Sequence, residues 1–509
     1  MTFPAVSASI SVSLRRLFPA ASFVGRAEIS VTEATDRSGD VRPGCLFAAL
    51  PGTKVHGCAF VAEAISRGAR AILTEKPIPY ISVPQCVVRD VRAAYGQLCH
   101  TLLRWPSRRL GVVGVTGTNG KTSVTWMLRS ILRASDADCG VSGTIERCDG
   151  RLARPAQLTT PDSRALAQWL AACHDNGLRY ATLELSSHAL EQSRSAGIEL
   201  DAAIVTNITA DHLDYHPDVN AYRSAKSRII NHLKRGGRLI VNADDAASLA
   251  IRELTPAHAG CMTFGCDSEA DVEATEIREA ATSARFTLRI GVETADVTLQ
   301  LPGRFSISNA LAAAGAADQL GIPIATIAAG LSNLSGVPGR MQRVDCGQPF
   351  NVIVDYAHTP DALERVIAAA RRFTAGRVIC VFGAGGDRDR KKRPAMGAAG
   401  AAADLVVLTS DNPRSEDPMT IIRQVLAGCP NHEPLIEPDR AAAIRQALDL
   451  ASPGDCVLIA GKGHEQYQVI GEDRLPFDDI AVCREHLAGA RHAVPSPHFI
   501  RSRTPAEFP

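Results

Sequence analysis

The sequence has 509 residues, too many for one hydrophobic core, and its length predicts about three domains. Its 55 lysines and arginines nearly cancel 54 aspartates and glutamates, so nothing in the overall charge points to nucleic acid or to an anionic membrane surface. The 14 cysteines stand singly with no Cys-x-x-Cys pair, which argues against a zinc site or a secreted disulfide framework and fits a reducing cytosol.

The first 18 residues lack a basic start followed by an apolar run and read as a loosely ordered leader. No later stretch reaches the ~20 apolar residues of a membrane span, so a cytoplasmic location is expected. Residues 1–105 carry turn signals at Arg42-Pro43-Gly44 and Pro51-Gly52, a helical pattern over 60–67 and a strand over 71–73, the marks of a small α/β domain. Residues 105–109 read as a linker into a central domain over 106–336.

That domain opens with an apolar strand over 110–115 that turns through Gly117 and Gly120 into Lys121, Thr122 and a helical pattern. Glycines let backbone N–H groups turn inward around phosphate oxygens, the helix N-terminus favours an anion, and the lysine adds a point charge. Gly117, Thr118, Asn119, Gly120, Lys121, Thr122 and Ser123 therefore read as a Walker-type ATP loop, with the Thr122 hydroxyl offered to magnesium. The spacing departs from the usual one: Val115 stands where the first glycine is expected, and Gly114 precedes it. Further buried parallel strands are predicted over 181–185, 202–206 and 238–241, with polar residues after them, as in an open sheet whose ligands bind beyond the strand ends.

The passage Gly336-Val337-Pro338-Gly339-Arg340 marks the next boundary. Over 337–490 strands are predicted at 352–354, 378–382, 405–408 and 457–459. They lead into DYAHTP, GAGGDRDRKKRP, SDNPR and GKGHE, a Rossmann-like doubly wound pattern. Residues 491–509 have a loop-like tail composition. The expected fold class is thus α/β in three domains: a small N-terminal α/β domain, a central P-loop parallel-sheet ATPase domain and a C-terminal doubly wound domain.

Three residues after the phosphate loop gain meaning together. Glu184 ends a strand in LELSSH, His212 lies in NITADHLDYH and Lys226 in AYRSAKS. A carboxylate and an imidazole placed after successive strands can hold magnesium against nucleotide phosphates. The set GVTGTNGKT, LELSSHAL, NITADHLDYH and AYRSAKS resembles the Mur ligases, ATP-dependent amide-forming enzymes of peptidoglycan precursor synthesis. The resemblance runs from about Leu110 to Gly471.

It implies catalytic roles for Lys121, Glu184, His212 and Lys226, with Lys226 as a carbamate formed with carbon dioxide and with Thr122, Glu184, His212 and Lys226 around Mg2+. It implies ATP contacts at Asn207, Arg340, His358 and Asp387. It also implies contacts to a uridine-linked sugar at Thr159, Thr160, Ser186, Gln192 and Arg194. In the N-terminal domain the family's Asp-Ser-Arg is replaced by Arg37-Ser38-Gly39, so only Ser38 carries over, and the later Asp-Gly-His is His56-Gly57-Cys58.

SDNPR and GKGHEQYQ resemble the branch of the family that adds meso-diaminopimelate to a UDP-N-acetylmuramoyl dipeptide. Diaminopimelate differs from lysine by one carboxylate, which the Arg414 guanidinium can bind in a bidentate manner. Asn412 can add a hydrogen bond and Glu465 can take the distal ammonium. Arg388, Asp411 and Gly461 complete the expected pocket. Small molecules are the expected partners, with no nucleic acid, no membrane span and a monomeric chain. A folylpolyglutamate synthetase shares the same logic, a motor or transporter ATPase shares the loop, and an inactive relative kept for binding is the non-enzyme alternative. Leu334-Ser335-Gly336-Val337-Pro338-Gly339 is not the transporter signature LSGGQ, and SDNPR, GKGHE and the Thr159-Thr160-Pro161-Asp162 stretch favour the peptidoglycan branch.

Overall fold

The computed structural model describes residues 10–52, 55–280, 282–429 and 433–492. They divide into two compact units, one ending at Val337 and one starting at Pro338. Among the described residues no helix is long and apolar enough to cross a membrane.

The first unit contains two main sheets. The N-terminal sheet has five short strands in the order Ser22–Val24, Gln85–Val87, Ala71–Thr74, Leu46–Ala48 and Ala34–Thr35, parallel except for the first pair. Helix Val91–Leu102 is capped by the Asp90 side chain and buries Tyr95, Leu98 and Leu102 in the core of this sheet. The expected loose leader is corrected from residue 10 onward. Val12 and Ser13 pair with Val31 and Ser30, and Leu14 is fully buried, because Val12, Leu14 and Phe18 supply apolar surface that the small sheet needs. Residues 1–9 lie outside the described residues.

The central sheet has eleven strands. At its middle lie β1 (Gly111–Thr116), β2 (Tyr180–Glu184), β3 (Leu200–Val205) and β4 (Leu233–Asn242), all parallel and nearly all buried, as continuous β-branched runs predict. Helix α1 (Lys121–Ala134) follows β1 and buries Val124, Met127, Leu128 and Ile131, one helical face, in the core. Helix α2 (Val219–Ser227), capped by Asp218, follows β3. Both ends of the sheet depart from a purely parallel reading. Strands Val272–Glu279, Ala284–Ile290 and Glu293–Leu299 form an antiparallel meander, and Glu146–Cys148 and Ala153–Pro155 form another antiparallel extension. Their alternating polar residues belong to half-exposed strands.

The second unit is built on a six-stranded sheet. Its parallel strands include β5 (Asn351–Asp355), β6 (Val378–Phe382), β7 (Leu405–Leu408) and β8 (Cys456–Ala460), in the spatial order β5-β8-β6-β7. Helices α3 (Arg440–Leu450) and α4 (Asp479–His492) pack their apolar residues on this sheet, among them Ile444, Leu448, Cys483 and Leu487. The helix α4 reaches His492, so the loop-like tail does not begin at 491, and residues 493–509 lie outside the described residues.

One buried side chain couples the first unit to pH. His100 on the Val91–Leu102 helix is fully buried, and neither ring nitrogen has a hydrogen-bond partner among the described residues. Burial, with a smaller push from His232, lowers its pKa from 6.5 to about 3. The folded state therefore refuses a proton that the unfolded chain accepts. The stability this neutral ring contributes is complete above pH 6.5 and is lost as pH falls toward 3, at a limiting slope of about 1.4 kcal/mol per pH unit. Melting curves between pH 7 and pH 4 on the order of one unit apart should show His100→Leu losing part of the acid destabilisation of the wild type. An unchanged pH dependence of Tm would contradict the assignment.

Candidate active site

The phosphate loop is shaped by close approach rather than by loose glycines. Gly117 has φ 144°, and a Cβ there would lie 1.8 Å from the Thr206 hydroxyl. Gly120 has φ 91°, ends the loop as the N-cap of α1, and a Cβ there would lie 2.2 Å from Asn309 Oδ1. The end of β3 braces the loop from behind. The Thr118 N–H donates to Asn207 O at 2.8 Å, the Asn119 N–H to Asn207 Oδ1 at 3.0 Å, and Thr206 and Asn207 side chains both donate to Asn119 O. Asn207 thus acts first on the loop itself. Sequence reading missed Thr206 and Asn309 because neither belongs to a phosphate motif; only their proximity to the glycines marks them.

Two ammonium groups converge on one carbonyl. Lys121 Nζ donates to Gly117 O and Thr118 O, each at 2.9 Å, and Lys226 Nζ donates to Gly117 O at 2.7 Å. Lys226, on α2, is 2 % exposed and lies 4.5 Å from the Tyr222 ring centre. Burial and the neighbouring Lys121 charge push its pKa well below the usual lysine range, against a weaker pull from Asp211. Tyr222 shares a hydrogen bond of 3.1 Å with Thr118 Oγ1, and burial raises its phenol pKa above its usual value.

The expected magnesium residues form two neighbouring groups. Glu184, at the end of β2 and 1 % exposed, accepts from Thr122 Oγ1 at 3.1 Å, from the Thr144 N–H at 2.9 Å and from Thr144 Oγ1 at 2.9 Å. His212 sits instead among aromatic rings, 4.9 Å from His188 and 6.4 Å from Tyr222, with Asp211 Oδ2 3.4 Å from its Nε2. It holds a left-handed backbone conformation, φ 55°. Among the described residues no three His, Cys, Asp or Glu side chains come together as a metal cage. The hard oxygens of Thr122 and Glu184, beside a loop shaped for phosphate, nonetheless suit magnesium, which takes few protein ligands and completes its shell from phosphates and water.

Residues expected at the sugar site also meet. Thr160 Oγ1 donates to Glu184 O at 2.8 Å and accepts from the Ser186 N–H at 3.0 Å; Arg194 donates to Thr160 O at 3.1 Å and grips Gln192 Oε1 at 2.6 and 3.0 Å. Thr159 bonds Thr144 at 3.1 Å, which ties this surface to Glu184. Ser38 begins a short 3-10 turn, and the residue before it, Arg37, pairs with Asp162 at 3.2 Å. Arg164 adds bonds to Thr35 and Glu33. Asp36 was missed by sequence reading: burial raises its carboxyl pKa, and Tyr95 OH donates to it at 3.4 Å.

In the second unit the two signature loops interlock. Asn412 Nδ2 donates to Glu465 Oε2 at 3.0 Å, Gln468 Nε2 to Asp411 O at 2.7 Å, and the Arg414 N–H to Val469 O at 3.0 Å. Gly461 has φ 119°, and a Cβ there would lie 2.8 Å from Asp411 Oδ2. Arg414 and Arg388 both border Gly385, and burial followed by the Arg388 charge lowers the Arg414 pKa. Arg414 Nη1 also donates to Gly386 O at 2.6 Å, which fixes the guanidinium in the pocket. Asp387 is turned to loop building, accepting from Ser415 N and Oγ at 3.1 and 2.7 Å. Arg340 stacks 4.3 Å from the Tyr356 ring centre, and the His358 ring centre lies 4.6 Å from it, so these two share one aromatic platform.

Two supports escaped the sequence reading. Arg393, in the basic run, is fully buried and holds Glu416 at 2.8 Å and Gly385 O at 3.0 Å. Arg440 on α3 pairs with Asp479 at 2.8 Å and donates to Ser410 O and Ala460 O, the residues just before Asp411 and Gly461. A lone arginine on a helix carries no sequence signal for such a role.

Family models match three stretches: the Mur ligase middle domain over residues 115–317, the Mur ligase glutamate ligase domain over 339–463, and the Mur ligase family catalytic domain over 35–101. A UDP-N-acetylmuramoyl-L-alanyl-D-glutamate–2,6-diaminopimelate ligase of Gloeobacter violaceus is 43% identical over 475 residues, covering 91% of this chain and 95% of that one. The enzyme of the same name from Geobacillus thermodenitrificans is 42% identical, covering 90% and 95%. A solved structure of a ligase of that name superposes with a TM-score of 0.69 at 33% identity, covering 95% of this chain and 100% of that chain.

Proposed function

The chain belongs to the Mur ligase family, and from that premise we propose that it joins meso-diaminopimelate to the D-glutamyl carboxylate of UDP-N-acetylmuramoyl-L-alanyl-D-glutamate at the expense of ATP. The observation that carries the choice of amine is the half-buried Arg414 guanidinium set near Glu465, with Arg388 exposed at the rim. Guanidinium groups take a carboxylate, Glu465 takes an ammonium, and only an acceptor with both at its distal end uses the whole site. A site of this kind rejects an analogue lacking one polar group, because its own charges are then left unpaired.

The reaction needs activation, since a carboxylate oxygen is a poor leaving group. The glutamyl carboxylate attacks the γ-phosphorus of ATP, a bond forms to one carboxylate oxygen, and ADP departs. The diaminopimelate amine then attacks the acyl carbon, loses a proton, and phosphate leaves with that oxygen. The loop N–H groups and the α1 N-terminus hold the phosphates, and Lys121 balances charge on the transferred group. Thr122 and Glu184 would supply protein oxygens to magnesium, which would neutralise phosphate charge there. Thr160, Ser186, Gln192 and Arg194 line the path of the sugar-linked substrate.

Lys226 suits conversion to a carbamate. Its amine is buried and depressed in pKa, so the neutral nucleophile is available. Addition of the neutral amine to carbon dioxide forms an N–C bond, releases one proton (two when counted from the ammonium) and leaves an anion beside Lys121. The same change relieves the repulsion of two cations at Gly117 O.

Two measurements test this reading. With ATP, magnesium and the UDP-linked dipeptide, amide product and phosphate release should be strong with meso-diaminopimelate and at least ~100-fold weaker with L-lysine; equal use of both would remove the pocket argument, and glutamate addition to folate would move the chain to the folylpolyglutamate branch. Protein equilibrated with 13C-labelled bicarbonate should show a carbamate carbon resonance that disappears in Lys226→Met. A wild-type spectrum identical to that of the variant would refute carbamylation.

A further inference from the structure

Lys462 lies inside the amine pocket and belongs to no role assigned above. It follows β8, is fully buried, and its ammonium donates to Asn412 Oδ1 at 3.0 Å and to Glu465 Oε2 at 3.1 Å, with the Tyr467 ring centre 5.6 Å away. Asn412 is consumed by the same cluster: its Oδ1 also accepts from the Val469 N–H at 2.9 Å, and its Nδ2 donates to Glu465 Oε2. Glu465 Oε2 therefore holds two internal donors, while Oε1 has none among the described residues. The side chain expected to receive a substrate ammonium already carries one.

A buried ammonium is costly unless it is paired, and a methionine would fill the same space without that cost. Its value must lie in charge. Besides the Arg440–Asp479 pair, which cancels itself, the buried and half-buried ionic side chains of the pocket are two cations, Lys462 and Arg414, and two carboxylates, Asp411 and Glu465. Arg388 and Asp387 are exposed at the rim, where water screens them. The inner set is balanced. A distal centre bearing both ammonium and carboxylate leaves it balanced, whereas a bare ammonium leaves Arg414 without an anion. Without Lys462 the inner set carries one net negative charge and favours the bare cation.

Resting on the diaminopimelate reading, we propose that Lys462 is a specificity-determining positioning residue: its positive charge, held against Asn412 and Glu465, offsets one carboxylate of the pocket and makes it select a zwitterionic distal centre over a bare ammonium. It touches Glu465 and Asn412 and acts on the substrate through them.

The test uses the full chain carrying Lys462→Met or Lys462→Gln, assayed with meso-diaminopimelate and with L-lysine. Glutamine keeps a donor for Asn412 and Glu465 but removes the charge, and it supplies a folded variant should the methionine protein not fold. Both variants should narrow the preference for diaminopimelate in kcat/KM by at least roughly tenfold, through the KM of the amine, with kcat at saturating diaminopimelate and KM for ATP within about threefold of wild type. Restoration of wild-type selectivity by glutamine, or an equal loss with both amines through kcat, would overturn the proposal and leave Lys462 as scaffold. Failure of the wild type itself to use diaminopimelate would instead remove the reading of function, and the proposal with it.

Discussion

The carbonyl oxygen of Gly117 is the point on which the first unit depends. Lys121 and Lys226 both donate to it, from helices that follow the neighbouring strands β1 and β3. Two like-charged groups sharing one acceptor repel, which is part of what lowers the Lys226 pKa, so such a pair persists only where the fold holds it. The grip comes from the closeness of Gly117 to Thr206, the bonds from Thr206 and Asn207 to Asn119, and the Thr118–Tyr222 bond that ties the loop to α2. The result is a positive site with an acidic side chain, Glu184, one hydrogen bond away through Thr122. Polyphosphate answers that charge.

The second unit spends backbone strain in the same manner. Asp387 and Arg414, both with φ 52°, adopt the left-handed conformation that costs about 1–3 kcal/mol for residues other than glycine. Arg414 is held there by hydrogen bonds to Val469 and from Gly471, and Asp387 by Ser415 and Glu416. Glu416 is in turn gripped by buried Arg393, which lowers its carboxyl pKa to about 2. The dense basic run therefore contains one residue that builds the loop and others that face solvent, a distinction invisible to a count of charges.

The parallel strands at the centre of both sheets were legible because β-branched runs buried on both faces leave a continuous apolar trace, and β6 and β7 match their predicted limits at both ends. The antiparallel meander over Val272–Leu299 was not, since half-exposed strands such as Glu293–Leu299 mix threonine, aspartate and glutamate with apolar residues. At the site, motifs marked Lys121, Glu184, Lys226 and Arg414, whose chemistry depends on residue type. They could not mark Tyr222, Thr206, Asn309, Lys462 or Arg440, whose importance arises from what lies against them in space. Nor could they show that Asn412 and Asn207 brace loops, because an amide at a strand end reads the same whether it faces a ligand or its own backbone.

The central claim is that the glutamyl carboxylate is activated by phosphoryl transfer before the amide forms. The most direct measurement is the fate of oxygen: UDP-N-acetylmuramoyl-L-alanyl-D-glutamate carrying 18O in the reacting carboxylate is turned over with ATP and meso-diaminopimelate, and the phosphate released is analysed by mass. The account predicts one carboxylate oxygen in each phosphate formed. Phosphate free of label, with amide product accumulating at the normal rate, would contradict it.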